Sequence, residues 1–146
     1  MFRLIGAALL VSITPAAASA QVAPAEAAVQ RVTIESYYRI KWGSLDEFKR
    51  LYERNHAPLL RELQKAGNVV AMKMDQPFTH MAGGVRWDLR VTITYRDAAS
   101  AMDLDKPGQK LWEEATARLY PDKRKFEEEE ARRFGLLEDH WDVVIG

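Results

Sequence analysis

Residues 87–96 alternate without a break. Trp87, Leu89, Val91, Ile93 and Tyr95 fall on one side, and Asp88, Arg90, Thr92, Thr94 and Arg96 on the other. Side chains alternate with period two only along a strand; wound into a helix, both sets would scatter around the axis. The stretch is therefore a strand with one apolar and one polar face, and it needs a sheet to join. Period two returns at both ends of the chain. Val32, Ile34, Ser36, Tyr38 and Ile40 oppose Thr33, Glu35, Tyr37, Arg39 and Lys41, and Trp141, Val143 and Ile145 oppose His140, Asp142 and Val144. Residues 69–74 supply a fourth strand-like run.

Helical spacing fills the intervals. Leu45, Phe48, Leu51 and Tyr52 recur on one helix face, and Leu59, Leu60 and Leu63 resume the stripe. Ser44 and Glu47 have the spacing of a capping box, and Gly67 suits the position just past a helix C-terminus. Pro58 lacks an amide hydrogen and disfavours helical geometry at Ala57. A kink or break is therefore expected at residues 55–57, turning side chains there out of regular packing. Residues 75–84 read as a loop, Asp97 caps a short turn through Met102, and Pro107-Gly108 breaks the chain. Leu111, Trp112, Ala115 and Leu119 form a second stripe, which Phe126 and Phe134 continue to Gly135 beyond an interruption at residues 120–122. The four glutamates at 127–130, flanked by basic residues at 123–125 and 132–133, read as a solvated helix face.

The order β-α-β-β-α-β predicts an α+β, ferredoxin-like fold, in which a four-stranded antiparallel sheet carries both helical segments on one face. Nothing in the chain is left to cover the other face. It is expected to carry Glu35, Tyr37 and Arg39, then Asp88, Arg90, Thr92 and Thr94, then His140 and Asp142. Either it is wet, or a second copy packs over it.

The chain of 146 residues suits one domain, expected over residues 32–146. Lys plus Arg and Asp plus Glu both number 21, so no basic surplus speaks for nucleic acid. Cysteine is absent, which removes disulfides, thiolate nucleophiles and the commonest structural zinc sites. Residues 1–20 read as a signal peptide. Arg3 precedes an apolar run too short to span a bilayer, and Ala18-Ser19-Ala20 forms an A-x-A site before Gln21. Cleavage after Ala20 would give a periplasmic or secreted protein with no stable membrane insertion, residues 21–31 serving as a flexible linker.

Among residues able to do chemistry, His56 stands at the expected kink. It is either an acid–base group aimed into a pocket or a group that bonds a carbonyl freed by Pro58. Glu35, Tyr37, Arg39, Arg90 and Asp142 on the open face either bind an anionic or phenolic small molecule or pair with one another across strands. His56, His80 and His140 contain no helical ligand spacing, so no metal is expected. Met72 and Met74 read as gap-filling, and Trp87, Trp112 and Trp141 as core. No nucleophile elbow, P-loop or dinucleotide fingerprint occurs.

The segment Phe48-x-x-x-Tyr52-x-x-x-His56-x-Pro58-Leu59, together with the order of elements, resembles the dimeric α+β barrel proteins, and within them the EthD-like members. Antibiotic-biosynthesis monooxygenases, muconolactone isomerases and NIPSNAP-like proteins share that layout. The resemblance implies a homodimer whose two sheets close into a barrel with a pocket beneath each. Joined to the export expected from residues 1–20, from which the enzymes of this fold depart, it implies a protein binding a small organic molecule and, for an enzyme, cofactor-independent oxygenation or isomerisation of an aromatic or enolisable substrate. His56 would then be the base and Tyr37 and Arg90 would orient substrate or stabilise an anion, while Glu35, Arg39, Trp87, Thr92 and Asp142 would bind it. The alternatives are a non-catalytic periplasmic binding or structural homodimer and a haem-associated protein; the main reading needs no cofactor.

Overall fold

A computed structural model describes residues 30–79, 81–102 and 106–145. The signal peptide, most of the linker and His80 lie outside the described residues. The elements run β1 (Val32–Ile40), α1 (Leu45–Leu51), a π-helical turn (Tyr52–His56), α2 (Ala57–Lys65), β2 (Val69–Asp75), β3 (Leu89–Tyr95), α3 (Ala98–Ala101), α4 (Lys106–Leu119), α5 (Lys123–Gly135) and β4 (Leu137–Ile145). All strand pairs are antiparallel and the sheet order is β2-β3-β1-β4, the ferredoxin-like arrangement expected from the pattern of periods.

The strand faces follow the alternation in β1 and β3. Tyr38, Ile40, Leu89, Val91 and Ile93 point to the helices and meet Phe48, Leu51, Tyr52, Ala57, Leu60 and Leu136 in one core. Met72 and Met74 pack against its edge, as gap-fillers do. Phe48 is fully buried, so truncating it to alanine is worth about 3–5 kcal/mol of lost transfer and cavity energy. Gly43 and Gly67 take positive φ values of 79° and 83°; the first turns the chain out of β1, and the second closes α2 at the position the sequence assigned to it.

Five expectations are corrected. Ser44 makes no side-chain cap bond; Glu47 is instead gripped by Arg132 of α5 through two 2.8 Å bonds, so a tertiary ion pair displaces the local box. Pro107 and Gly108 do not break the chain but lie in the first turn of α4, where a missing amide hydrogen costs nothing. The helix around Pro58 is not broken either. It widens into the π turn, with the Ala57 amide reaching the carbonyl of Tyr52.

The fourth correction concerns β4. Its register against β1 slips between Arg39 and Ile40: Arg39 faces Asp139, but Ile40 faces Leu137, leaving Glu138 as an extra residue. At that slip the Ile40 amide donates to Asp88 at 2.8 Å, and the buried Arg86 bonds the Ile40 carbonyl, Asp88 and Glu138. Leu137 therefore packs on the core, and everything after the bulge is turned over. Trp141, Val143 and Ile145 face away from the helices beside Tyr37, Glu35 and Thr33, while His140 and Asp142 lie on the helix side beside Tyr38 and Ser36. Asp142 is thus not on the open face, and neither is His140.

Nor are the three tryptophans in the core. Trp112 is half-buried at its edge. Trp87 precedes β3 and sits edge-on to Tyr37 at 5.7 Å, and Trp141 stacks on Tyr37 at 5.4 Å.

Candidate functional site

A cleft of about 450 Å³ opens between the helix side of the sheet and the helices. The sheet contributes Tyr38, Ile93, Tyr95, His140 and Asp142; the helices contribute Tyr52, His56, Leu60, Trp112 and Arg133. It exists because the π turn interrupts close packing of the first helical segment. In an α-helix the carbonyl of Arg54 would accept from the amide of residue 58, which proline lacks. The Tyr120 hydroxyl, between α4 and α5, fills that place, lying 2.8 Å from the Arg54 carbonyl and 2.9 Å from that of Asn55. Buried Asn55 donates to Glu129 of α5, which also pairs with Arg54 at 3.0 Å. The freed carbonyls are therefore held by Tyr120 and not by His56, whose ring turns to the cleft.

His56 lies against the rings of Tyr52 at 5.0 Å and Trp112 at 5.4 Å. Burial, and then the positive charge of Arg133, push its pKa down to about 4, so the imidazole is neutral at physiological pH. Burial also pushes the Tyr38 hydroxyl up to about 12 and raises that of Tyr52, so both remain protonated. The wall beside them is a cation. Arg133 is 2% exposed, donates to the Glu130 carboxylate at 3.0 and 2.6 Å, and lies over the rings of Phe48, Tyr52 and Phe134. At the mouth, the ring of His140 stacks on Tyr38 at 4.4 Å and nearly parallel.

The other predicted site residues stand on the far face of the sheet. Arg90 pairs with Glu35 at 3.2 Å and Asp75 at 3.3 Å, and Tyr37 donates to Glu35. Arg39 bonds the carbonyls of Gly84 and Arg86 and sits near Asp139, while Thr92 is the cross-strand neighbour of Glu35. Trp87 lies under Arg90, with the guanidinium 5.6 Å from the ring centroid. These charges pair with one another across strands. The sheet separates them from His56, so Tyr37, Arg90, Glu35, Arg39, Thr92 and Trp87 do not share a pocket with it. Asp142, moved by the bulge, does.

Sequence reasoning gave no site role to Tyr38, Tyr52 or, above all, Arg133, and it set His140 on the open face. A signal for Arg133 was present. Phe126, Glu130 and Arg133 stand at i, i+4 and i+7 on α5, so the buried stripe that holds the phenylalanine also carries the ion pair. Among the described residues no three His, Asp or Glu side chains gather within reach of one metal ion, and no helix is long and apolar enough to cross a membrane.

No protein-family model and no curated protein sequence matches the chain. Among solved structures, a dimeric ferredoxin-like protein from an uncultured marine organism is similar, with 6% identity and a TM-score of 0.50 over 78% of this chain and 84% of its own. An EthD-family protein from Bacillus halodurans is 17% identical, with a TM-score of 0.47, over 80% of this chain and 98% of its own. A NIPSNAP-family protein from Agrobacterium tumefaciens is 15% identical, with a TM-score of 0.43, over 80% and 85%. At such identities the likeness concerns the fold. That of the marine protein agrees with the ferredoxin-like arrangement.

Proposed function

We propose that the protein is an exported homodimer that binds a small aromatic or enolisable molecule in the cleft between sheet and helices. The observation that carries this reading is the make-up of the cleft wall. Neutral His56, the protonated hydroxyls of Tyr38 and Tyr52 and the indole of Trp112 surround it, and its buried cation is already matched by Glu130. A wall of this kind offers stacking surface and neutral hydrogen bonds, with the exposed carboxylates of Asp142 and Glu113 beside them, which suits a planar ligand that carries no negative charge.

The homodimer rests on the opposite face. The rings of Trp87, edge-on to Tyr37, and of Trp141, stacked on it, continue into Val143 and Ile145, 42% and 43% exposed, and no described element lies over them. The charges there are paired within the sheet, so a second copy can cover the face without stranding an ion. The marine neighbour of the same fold is described as dimeric.

Native mass spectrometry of the protein recovered from whole cells that express the full chain tests the whole reading. The expected species is a dimer of chains beginning at Gln21, carrying the added mass of a small molecule. A monomer overturns the dimer, and a chain still beginning at Met1 overturns export. A bare dimer that no phenol or 1,3-diketone stabilises against heat overturns the ligand.

A further inference from the structure

His140 stands at the mouth of the cleft with one nitrogen committed and one not. Its Nδ1 lies 2.9 Å from the backbone carbonyl oxygen of Tyr37. A carbonyl oxygen only accepts, so Nδ1 carries the hydrogen, and in the neutral ring Nε2 then presents a lone pair. The Asp142 carboxylate stands 3.9 Å from Nε2, itself an acceptor and beyond bonding distance. Among the described residues no donor is placed on Nε2. The ring plane is fixed as well, because the imidazole stacks on Tyr38 with an angle of 4° between planes, and Tyr38 is anchored in the core.

We infer that Nε2 of His140 accepts the hydrogen of a ligand hydroxyl, so that the cleft selects phenols and enols over their O-methylated counterparts. This deepens the proposed function and rests on the cleft being a small-molecule site. An aromatic ring placed between Tyr38 and Trp112 brings its hydroxyl to the strand side, where His140 waits, while His56 borders the deeper part of the same space. Full transfer of the proton along that bond leaves an oxyanion on the ligand and an imidazolium on His140. The imidazolium then lies between two acceptors, the Tyr37 carbonyl and the Asp142 carboxylate, and no further reactant is needed.

Phenol and anisole make the test, since they differ by one donor. Both are titrated into the mature chain, with affinity read by calorimetry and the histidine ring nitrogens followed by NMR. Wild type is expected to bind phenol about tenfold or more tightly than anisole, the scale of one buried hydrogen bond. Phenol, and not anisole, should move the Nε2 resonance of His140. His140→Phe keeps a ring to stack on Tyr38 but has no acceptor, and in it the difference should vanish while the melting temperature holds. Equal affinities in wild type, or a preference for phenol that survives in His140→Phe, overturn the inference and leave the cleft standing as a binding site. Binding of neither compound overturns both. Should His140→Phe fail to fold, the wild-type nitrogen shifts decide alone: a hydrogen found on Nε2 with Nδ1 bare overturns the assignment.

Discussion

At the scale of single residues, burial governs the cleft, and His56 shows its effect as a dependence on pH. Unfolded, its imidazole takes up a proton near the ordinary value of about 6.5; folded, it resists until about pH 4. Between those values the unfolded chain holds more protons, so the contribution of His56 to stability is complete above about pH 6.5 and is lost as pH falls toward 4. Allowing for water in the cleft, the loss is on the order of 1–2 kcal/mol. Urea unfolding at pH 7 and pH 4.5 should therefore show a smaller drop in His56→Phe than in wild type. The carboxylates of Glu47, Glu62, Asp75 and Asp97, all held low by basic neighbours, titrate in both proteins and cancel in the comparison. Arg133 carries the complementary prediction. Glu130→Gln leaves a 2% exposed guanidinium without its carboxylate, and about 3 kcal/mol of stability should go with it. A melting temperature unchanged in Glu130→Gln would show that cleft water solvates the cation.

At the scale of elements, the π turn is the device that makes the cleft, and Tyr120 is its keystone. Tyr120→Phe removes only the hydroxyl shared by the Arg54 and Asn55 carbonyls, leaving the ring stacked on Phe126 at 4.5 Å. One donor hydrogen is lost, with the Arg54 carbonyl open to water and the Asn55 carbonyl part-buried, so a loss of about 1 kcal/mol in urea unfolding is expected. The need for such a device was legible in Pro58; its form was not, because a sequence shows a missing amide hydrogen but not which distant group answers the carbonyl. The same division runs through the strands. Alternation placed every β1 and β3 residue on its correct face, since both strands pair in unbroken register over Val32–Tyr38 and Leu89–Tyr95. In β4 alternation was equally clean and the assignment of faces was inverted. Trp141, Val143 and Ile145 were sent to the core as the apolar set, and the core took Leu137 instead, one bulge away. The bulge is held by Arg86 and Asp88, from the segment before β3, and so had no trace in the β4 sequence itself. That one slip moved Asp142 and His140 from the open face to the cleft and thereby changed which residues form a candidate site.

At the scale of the whole molecule, the sheet keeps two surfaces apart. The cleft lies on the helix side, and the aromatic and ion-paired face on the other, so assembly and ligand binding are expected to respond to different substitutions. Val143 tests this. It sits on the edge strand β4, opposite Glu35 and on the open face, 42% exposed in the single chain. A second copy packed over that face would bury it, and a symmetric interface would bury it twice. Val143→Glu then puts two carboxylates into one contact, each opposite a Glu35 that already holds Arg90. Sedimentation at micromolar concentration should find the variant monomeric where wild type is dimeric, with circular dichroism unchanged because the residue takes no part in the core. Phenol binding should persist, since the substitution and the cleft lie on opposite faces of the sheet. A variant that stays dimeric would place the contact elsewhere, on the helices or along the free edge of β2. One that turns monomeric and also loses phenol would mean that the partner shapes the cleft through the sheet, and that the two surfaces are a single coupled unit.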